Sequence, residues 1–432
     1  MSAQISRMVC QSGSRLPFAL DRVRTGVLTC SLFVAVLVTA CAPMPAAPNV
    51  GNPKFDDHRW SRVADGAPWG GRAGAEAVYL DGSFYLVGGR TPNRPTAFPQ
   101  GPIPGDSKIW GDVWRSDDGG KSWTELLRTD DASLWPARSY HEVVVHNSKM
   151  VLLGGQNFIL KPNPACTQNI FCFPRFVSRS DFFNDVWSSR DGVNWEQLTA
   201  HAPWVGRAGL SAAVLNGEIY VLGGSVNDDV VIVGGPPKRK LFNDVWKSAD
   251  GVNWEQVSAS APWAARAGAA VVVKDGYLYV LGGEYGFLGT PPPYFNDVWR
   301  TQNGSDWELV TASAAWSPRP GHTCDLLDSR IVCFGGYGQS PFPLDVFGRF
   351  SPTDVWSSED GAIWDKETGS PWNAKSKDGI RYDYDSVVAP SGSGATDEAI
   401  FTFGGDRETF NFFDPTQWRN VEDDVWRFAL QP

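Results

Sequence analysis

An arginine opens each of six similar segments of this 432-residue chain: Arg72, Arg138, Arg207, Arg266, Arg319 and Arg381. In the first five it stands 17 positions before the second glycine of a Gly-Gly pair, while Pro390-Ser391-Gly392-Ser393-Gly394 lengthens the sixth interval. The pairs are Gly88-Gly89, Gly154-Gly155, Gly223-Gly224, Gly282-Gly283, Gly335-Gly336 and Gly404-Gly405. Guanidinium groups suit two-pronged capture of carboxylates and stacking on rings. Six of them at one place would take an acidic ligand, unless each pairs with an acid of a neighbouring repeat or caps backbone carbonyls. The residue after each pair varies: Arg90, Gln156, Ser225, Glu284, Tyr337 and Asp406. Glu284, Tyr337 and Asp406 among these could contact a ligand held beside the arginines. His141 and His322 follow an Arg by three positions, but no His pair has metal-ligand spacing. Neither a phosphate loop nor Gly-x-Ser-x-Gly occurs, so no metal and no cofactor are expected.

The elements that must hold these residues are strands. In the fourth segment Val271–Val273 and Tyr277–Leu281 flank Asp275-Gly276, which suits a two-residue hairpin. Asn296-Asp297-Val298-Trp299 opens a third strand, and the turn around Asn303-Gly304 leads to a fourth at Trp307. Asp-Val-Trp recurs six times, ending at Trp114, Trp187, Trp246, Trp299, Trp356 and Trp426. A second tryptophan marks the fourth strand (Trp123, Trp195, Trp254, Trp307, Trp364), and a third precedes the Arg (Trp69, Trp135, Trp204, Trp263, Trp316, Trp372). No fourth-strand tryptophan follows Trp426, yet Trp60 lies nine positions before Trp69, as Trp195 does before Trp204. The strand at Trp60 is therefore expected to complete the sixth unit and close a ring, which removes exposed sheet edges. Trp110 and Trp418 stand outside this scheme, in the connections between second and third strands.

Composition agrees with a packed all-β domain: 42% hydrophobic residues, 45 Gly and 31 Pro. A net charge of −10 disfavours nucleic acid or an anionic membrane surface as partner. Arg15, Arg22 and Arg24 precede an apolar run, Val27 to Val38, too short to span a bilayer as a helix. Residues 1–40 thus read as a signal peptide, and Ala- and Pro-rich residues 41–55 as a tether. The remaining chain, 56–432, reads as one domain. Four cysteines beyond position 41 fit an oxidising compartment. Cys324 and Cys333 should face one another across the first hairpin of the fifth unit, by analogy with Val271 and Val280, and bond. Cys166 and Cys172 should bridge within one loop.

Three resemblances follow from these residues. Val38-Thr39-Ala40-Cys41 is similar to a bacterial lipobox, which implies lipidation of Cys41, membrane attachment through that lipid alone and, with Ala42 next, the outer membrane. The strand, Gly-Gly and spaced-aromatic pattern from Trp60 to Trp426 resembles the kelch family, implying a six-bladed β-propeller of four-stranded antiparallel blades. Ser116-Asp117-Asp118-Gly119-Gly120-Lys121-Ser122-Trp123 is similar to the Asp-box turn of sialidase propellers, a turn-forming device. Galactose oxidase is also a kelch propeller, but its copper ligands have no counterpart here.

In such a propeller the first strand of each blade is innermost, so the six arginines would ring one mouth of the channel. The long connections between second and third strands, longest from Gln156 to Asn184, would emerge on that face, carrying Trp110 and Trp418. Long loops without secondary structure are more often functional than accidental. The reading set first is a non-enzymatic, monomeric binding protein that presents this face to a glycan or protein partner. A second is an enzyme: the chain resembles bacterial sialic-acid mutarotases, in which a Glu directly after a Gly-Gly pair is implicated, as Glu284 is placed here. A third is a scaffold in an envelope or secretion complex.

Overall fold

The computed structural model describes residues 58–92, 107–129, 135–162, 176–226, 240–286, 294–339, 349–350, 352–371, 381–392, 397–407 and 421–430. The expected signal peptide (1–40) and tether (41–55), with Cys41, and Cys166, Cys172, Trp372 and Trp418 lie outside the described residues. The described residues are all-β and contain no α-helix; six antiparallel sheets form the blades of a β-propeller. Blade 1 shows the pattern: Glu76–Leu80, Ser83–Val87, Val113–Ser116 and Thr124–Leu127, paired in that order. In blade 4, Lys274 pairs with Tyr277 and Val271 with Val280, the register expected around Asp275-Gly276.

Blade 6 combines Asp385–Pro390, Glu398–Phe403 and Val425–Phe428 with Trp60–Ala64 from the other end of the chain. Trp60 pairs with Phe428 and Arg62 with Trp426, so the ring closes as expected. Cys324 opposes Cys333, and the two are disulfide-bonded.

One expectation is corrected. The connection after Gln156 is not devoid of secondary structure: the second strand of blade 2 runs on as Lys149–Pro162 and pairs with Phe176–Phe182 as a protruding hairpin. Shorter ladders of the same kind join Arg90–Pro92 to Ser107–Ile109 and Val226 to Lys240.

Each repeated residue has a mechanical reason. Both glycines of a Gly-Gly pair take positive φ, as Gly88 (62°) and Gly89 (100°) do, and a Cβ on Gly89 would stand 2.7 Å from that of Ala75. The valine of each Asp-Val-Trp is fully buried. Asn296 Nδ2 donates to the carbonyls of Ala314 and Trp316 (both 3.0 Å), tying the third strand to the linker beyond the fourth. The pre-Arg tryptophans pack edge-on against the fourth-strand ones, for example Trp69 on Trp123 (6.2 Å) and Trp263 on Trp307 (5.6 Å). Among the described residues the buried side chains gather into six seam clusters, each drawing on two adjacent blades, and a small tyrosine cluster.

Candidate functional site

The six arginines do not line the mouth as free cations. Each is at most 2% exposed and is held by the aspartate that opens the third strand of its own blade. Arg138 donates Nη1 and Nη2 to the two carboxylate oxygens of Asp185 (2.8 and 2.9 Å), and Nη1 also to Gly154 O at 2.9 Å. Arg207 repeats this with Asp244 and Gly223, and Arg266 with Asp297 and Gly282. Arg72, Arg319 and Arg381 pair with Asp112, Asp354 and Asp424. Positive φ at the first glycine turns its carbonyl toward the guanidinium. Burial pushes the Asp185 and Asp244 carboxyls up, but their arginines more than offset this and hold both below the ordinary range. The arginine ring is thus a set of intrablade locks rather than a ligand cradle.

Trp110 is corrected as well. It occupies the place of Phe183, Phe242 and Phe295, two residues before the locking aspartate, and its ring lies 4.8 Å from the Arg72 guanidinium. Its Nε1 donates to Thr91 Oγ1 at 2.9 Å. It is a lid on one lock.

Four of the residues that follow a Gly-Gly pair converge: Arg90, Glu284, Tyr337 and Asp406. Glu284, Tyr337 and Asp406 are buried near the axis, at 8%, 6% and 0% exposure. Main-chain bridges to the residue after each Arg fix two of them: Glu284 with Ala267 and Asp406 with Tyr382. Tyr337 Oη donates to Glu284 Oε2 at 3.0 Å. The Tyr337 ring meets those of Tyr382 (4.7 Å) and Tyr294 (5.5 Å) edge-on. Asp406 pairs with Arg90, whose Nε donates to Tyr140 Oη at 2.6 Å and Nη1 to Ser107 Oγ at 3.2 Å. Arg90, from blade 1, therefore joins blades 6 and 2.

Asp383 links the two halves of this cluster, and the sequence reading missed it. Its carboxyl is pushed up to about 8, first by burial, then by Asp406, with Glu284 adding and Arg90 opposing. A carboxyl group so placed holds its proton at neutral pH. The site is a mouth of carboxyl, phenol and one guanidinium group, equipped to exchange protons.

Beneath it the first strands enclose an axial cavity of about 260 Å³. Its wall carries Glu76, Glu142, Asp325 and Asp385. Burial raises all four carboxyls, Asp325 to about 6 and Asp385 to about 7. His141 and His322 are buried against Trp135 and Trp316. Burial and the adjacent Arg138 or Arg319 depress both imidazoles to about 3, so they are neutral. Among the described residues no group of three or more His, Cys, Asp or Glu could hold a metal ion.

Fold and repeats together define the class: the chain is a kelch-repeat β-propeller. The Kelch motif model matches residues 265–300, the fourth-segment strands and their Gly-Gly pair. The chain is 26% identical over 264 residues to N-acetylneuraminate epimerase 1 of Escherichia coli O6:H1, covering 58% of this chain and 65% of that protein. It is 25% identical over 312 residues to the Leucine-zipper-like transcriptional regulator 1 homolog of Drosophila melanogaster, covering 69% of this chain and 28% of that protein. The chain thus spans less than two thirds of the length of these relatives. The solved structure of YjhT superposes with a TM-score of 0.55 at 16% identity, over 84% of this chain and 96% of that one, and so shares the fold.

Proposed function

We propose that the chain is a mutarotase- or epimerase-type enzyme that opens and recloses an acidic sugar at the axial mouth, with Glu284 as acid–base residue. The observation that carries this is the Glu284 carboxyl, buried beside the axis with the Tyr337 hydroxyl 3.0 Å away. Mutarotation needs little else. A base takes the anomeric hydroxyl proton, the ring C–O bond breaks as the ring oxygen gains a proton, and reclosure on the other face returns both protons. Similarity to the N-acetylneuraminate epimerase of Escherichia coli supports an acidic sugar as substrate. In the cell the lipobox-like Cys41 would anchor the enzyme in the bacterial envelope, at the outer membrane.

The test is anomer exchange of N-acetylneuraminate followed by proton NMR, with Glu284→Gln and Tyr337→Phe beside the unmodified protein. The unmodified protein should accelerate exchange, and Glu284→Gln should lower the rate by roughly 10²- to 10⁴-fold while sugar still binds. A second reading, a binding module for a protein or glycan, is favoured by the longer alignment to the Drosophila transcriptional regulator homolog. It is adopted if the protein binds the sugar, or a partner, at this mouth without accelerating exchange.

A further inference from the structure

The second residue after each lock arginine forms a belt around the axis. The six are Gly74, Tyr140, Gly209, Gly268, Gly321 and Asp383, and all take left-handed φ between 50° and 62°. Main-chain hydrogen bonds run round the belt from blade to blade: Tyr140 N to Gly74 O (2.9 Å), Gly268 N to Gly209 O (3.0 Å), Gly321 N to Gly268 O (3.0 Å), Asp383 N to Gly321 O (3.0 Å) and Gly74 N to Asp383 O (2.8 Å). Four blades fill the position with glycine, the residue this conformation favours. Blades 2 and 6 keep a side chain there at a cost in backbone strain.

Those two side chains lie over neighbouring glycines. A Cβ on Gly321 would stand 2.5 Å from Asp383 Oδ1, and one on Gly74 would stand 2.8 Å from the Tyr140 ring. The two meet above the belt, where Tyr140 hydrogen-bonds both Asp383 and Arg90. The groups that face Asp383 come from four blades: Arg90, Tyr140, Glu284 and Asp406. Asp383 also lines the axial cavity and is partly exposed.

We infer that Asp383 is the second catalytic residue of the site, the acid that protonates the sugar ring oxygen while Glu284 takes the anomeric proton, and that Tyr140 is its positioning residue. This rests on the mutarotase reading. The electron pair of the breaking ring C–O bond takes the Asp383 proton, the anomeric O–H bond gives its electrons to the new C=O, and Glu284 holds that proton until the ring recloses. The strain at position 383 is kept because glycine there would leave the ring oxygen without a proton donor. Burial and Asp406 push the Asp383 carboxyl up to about 8, which keeps it loaded at neutral pH.

The experiment measures exchange of N-acetylneuraminate against pH for the full chain and for Asp383→Asn, Asp383→Gly and Tyr140→Phe. Asp383→Gly restores the belt residue of four other blades, so it should fold and melt no lower than the parent. Both Asp383 variants should lose at least about 100-fold in rate while binding the sugar, and the alkaline limb of the parent profile, falling near pH 8, should vanish. Tyr140→Phe should retain the limb but move its midpoint. If both Asp383 variants keep the parent rate within threefold while Glu284→Gln abolishes it, this inference is overturned and the mutarotase reading stands. If the parent itself does not accelerate exchange, both are overturned.

Discussion

Replacing Arg207 by methionine should lower stability by about 3–5 kcal/mol, the cost of leaving one partner of a buried ion pair alone. The structure shows what is lost. The Arg207 guanidinium donates to both Asp244 oxygens (2.6 and 3.0 Å), to Gly223 O (3.0 Å) and to Val205 O (2.9 Å), with Phe242 stacked 3.8 Å away. Methionine fills much of the space but satisfies none of these acceptors, and the Asp244 carboxylate is left with the Trp246 indole at 2.9 Å. The double variant Arg207→Met with Asp244→Leu removes the stranded charge. It should recover part of the loss, though the two carbonyls remain orphaned at about 1–3 kcal/mol each. Urea unfolding followed by tryptophan fluorescence gives all three values, and sugar binding measured alongside should be unchanged in each folded variant. A single variant that keeps its unfolding midpoint but loses sugar affinity would sink the reasoning, because Arg207 would then belong to the ligand.

Asp385→Asn should melt higher than the parent at pH 8 and level with it near pH 4.5. Its carboxyl is raised to about 7 in the fold, so its contribution is complete below the unfolded value near 4 and is lost as pH rises through 7, at up to about 1.4 kcal/mol per unit. Asparagine keeps an oxygen for the Ala77 amide, which lies 2.5 Å from Oδ2. A pH-independent difference in melting temperature would contradict this. Trp60→Ala should cost about 3–5 kcal/mol, since the ring packs on Phe428 (4.8 Å) and Phe334 (5.5 Å) at the seam of blades 5 and 6. Thermal unfolding checks it, and an unchanged midpoint would remove Trp60 from the closure.

The fold could be read because hairpin turns, Gly-Gly pairs and tryptophans repeat in register, each tied to a local geometric need. The site could not be read in the same way. The arginines and their aspartates were both visible, but they lie 31 to 47 positions apart, because the connections between second and third strands differ in length. Their pairing is therefore invisible to a search for fixed spacing. Trp110 falls outside the three tryptophan series because its equivalents in blades 2 to 4 are Phe183, Phe242 and Phe295. A signal for Asp383 and Tyr140 existed: they interrupt the Arg-x-Gly pattern of the other four segments. That interruption gains meaning only with the left-handed φ in view.

The pairing of Trp60–Ala64 with Val425–Phe428 has a consequence for how the chain is made. The propeller's N-terminal strand must wait for its C-terminal one before it finds its neighbour. At roughly 5–20 residues per second that interval lasts about 20 to 70 seconds. Toward its end five blades can be complete while an apolar edge still stands open at each end of the growing arc. A nascent propeller of this kind is a template for strand exchange with its neighbours until the ring shuts. The cell must keep such chains apart, or chaperone the open arc, for that time.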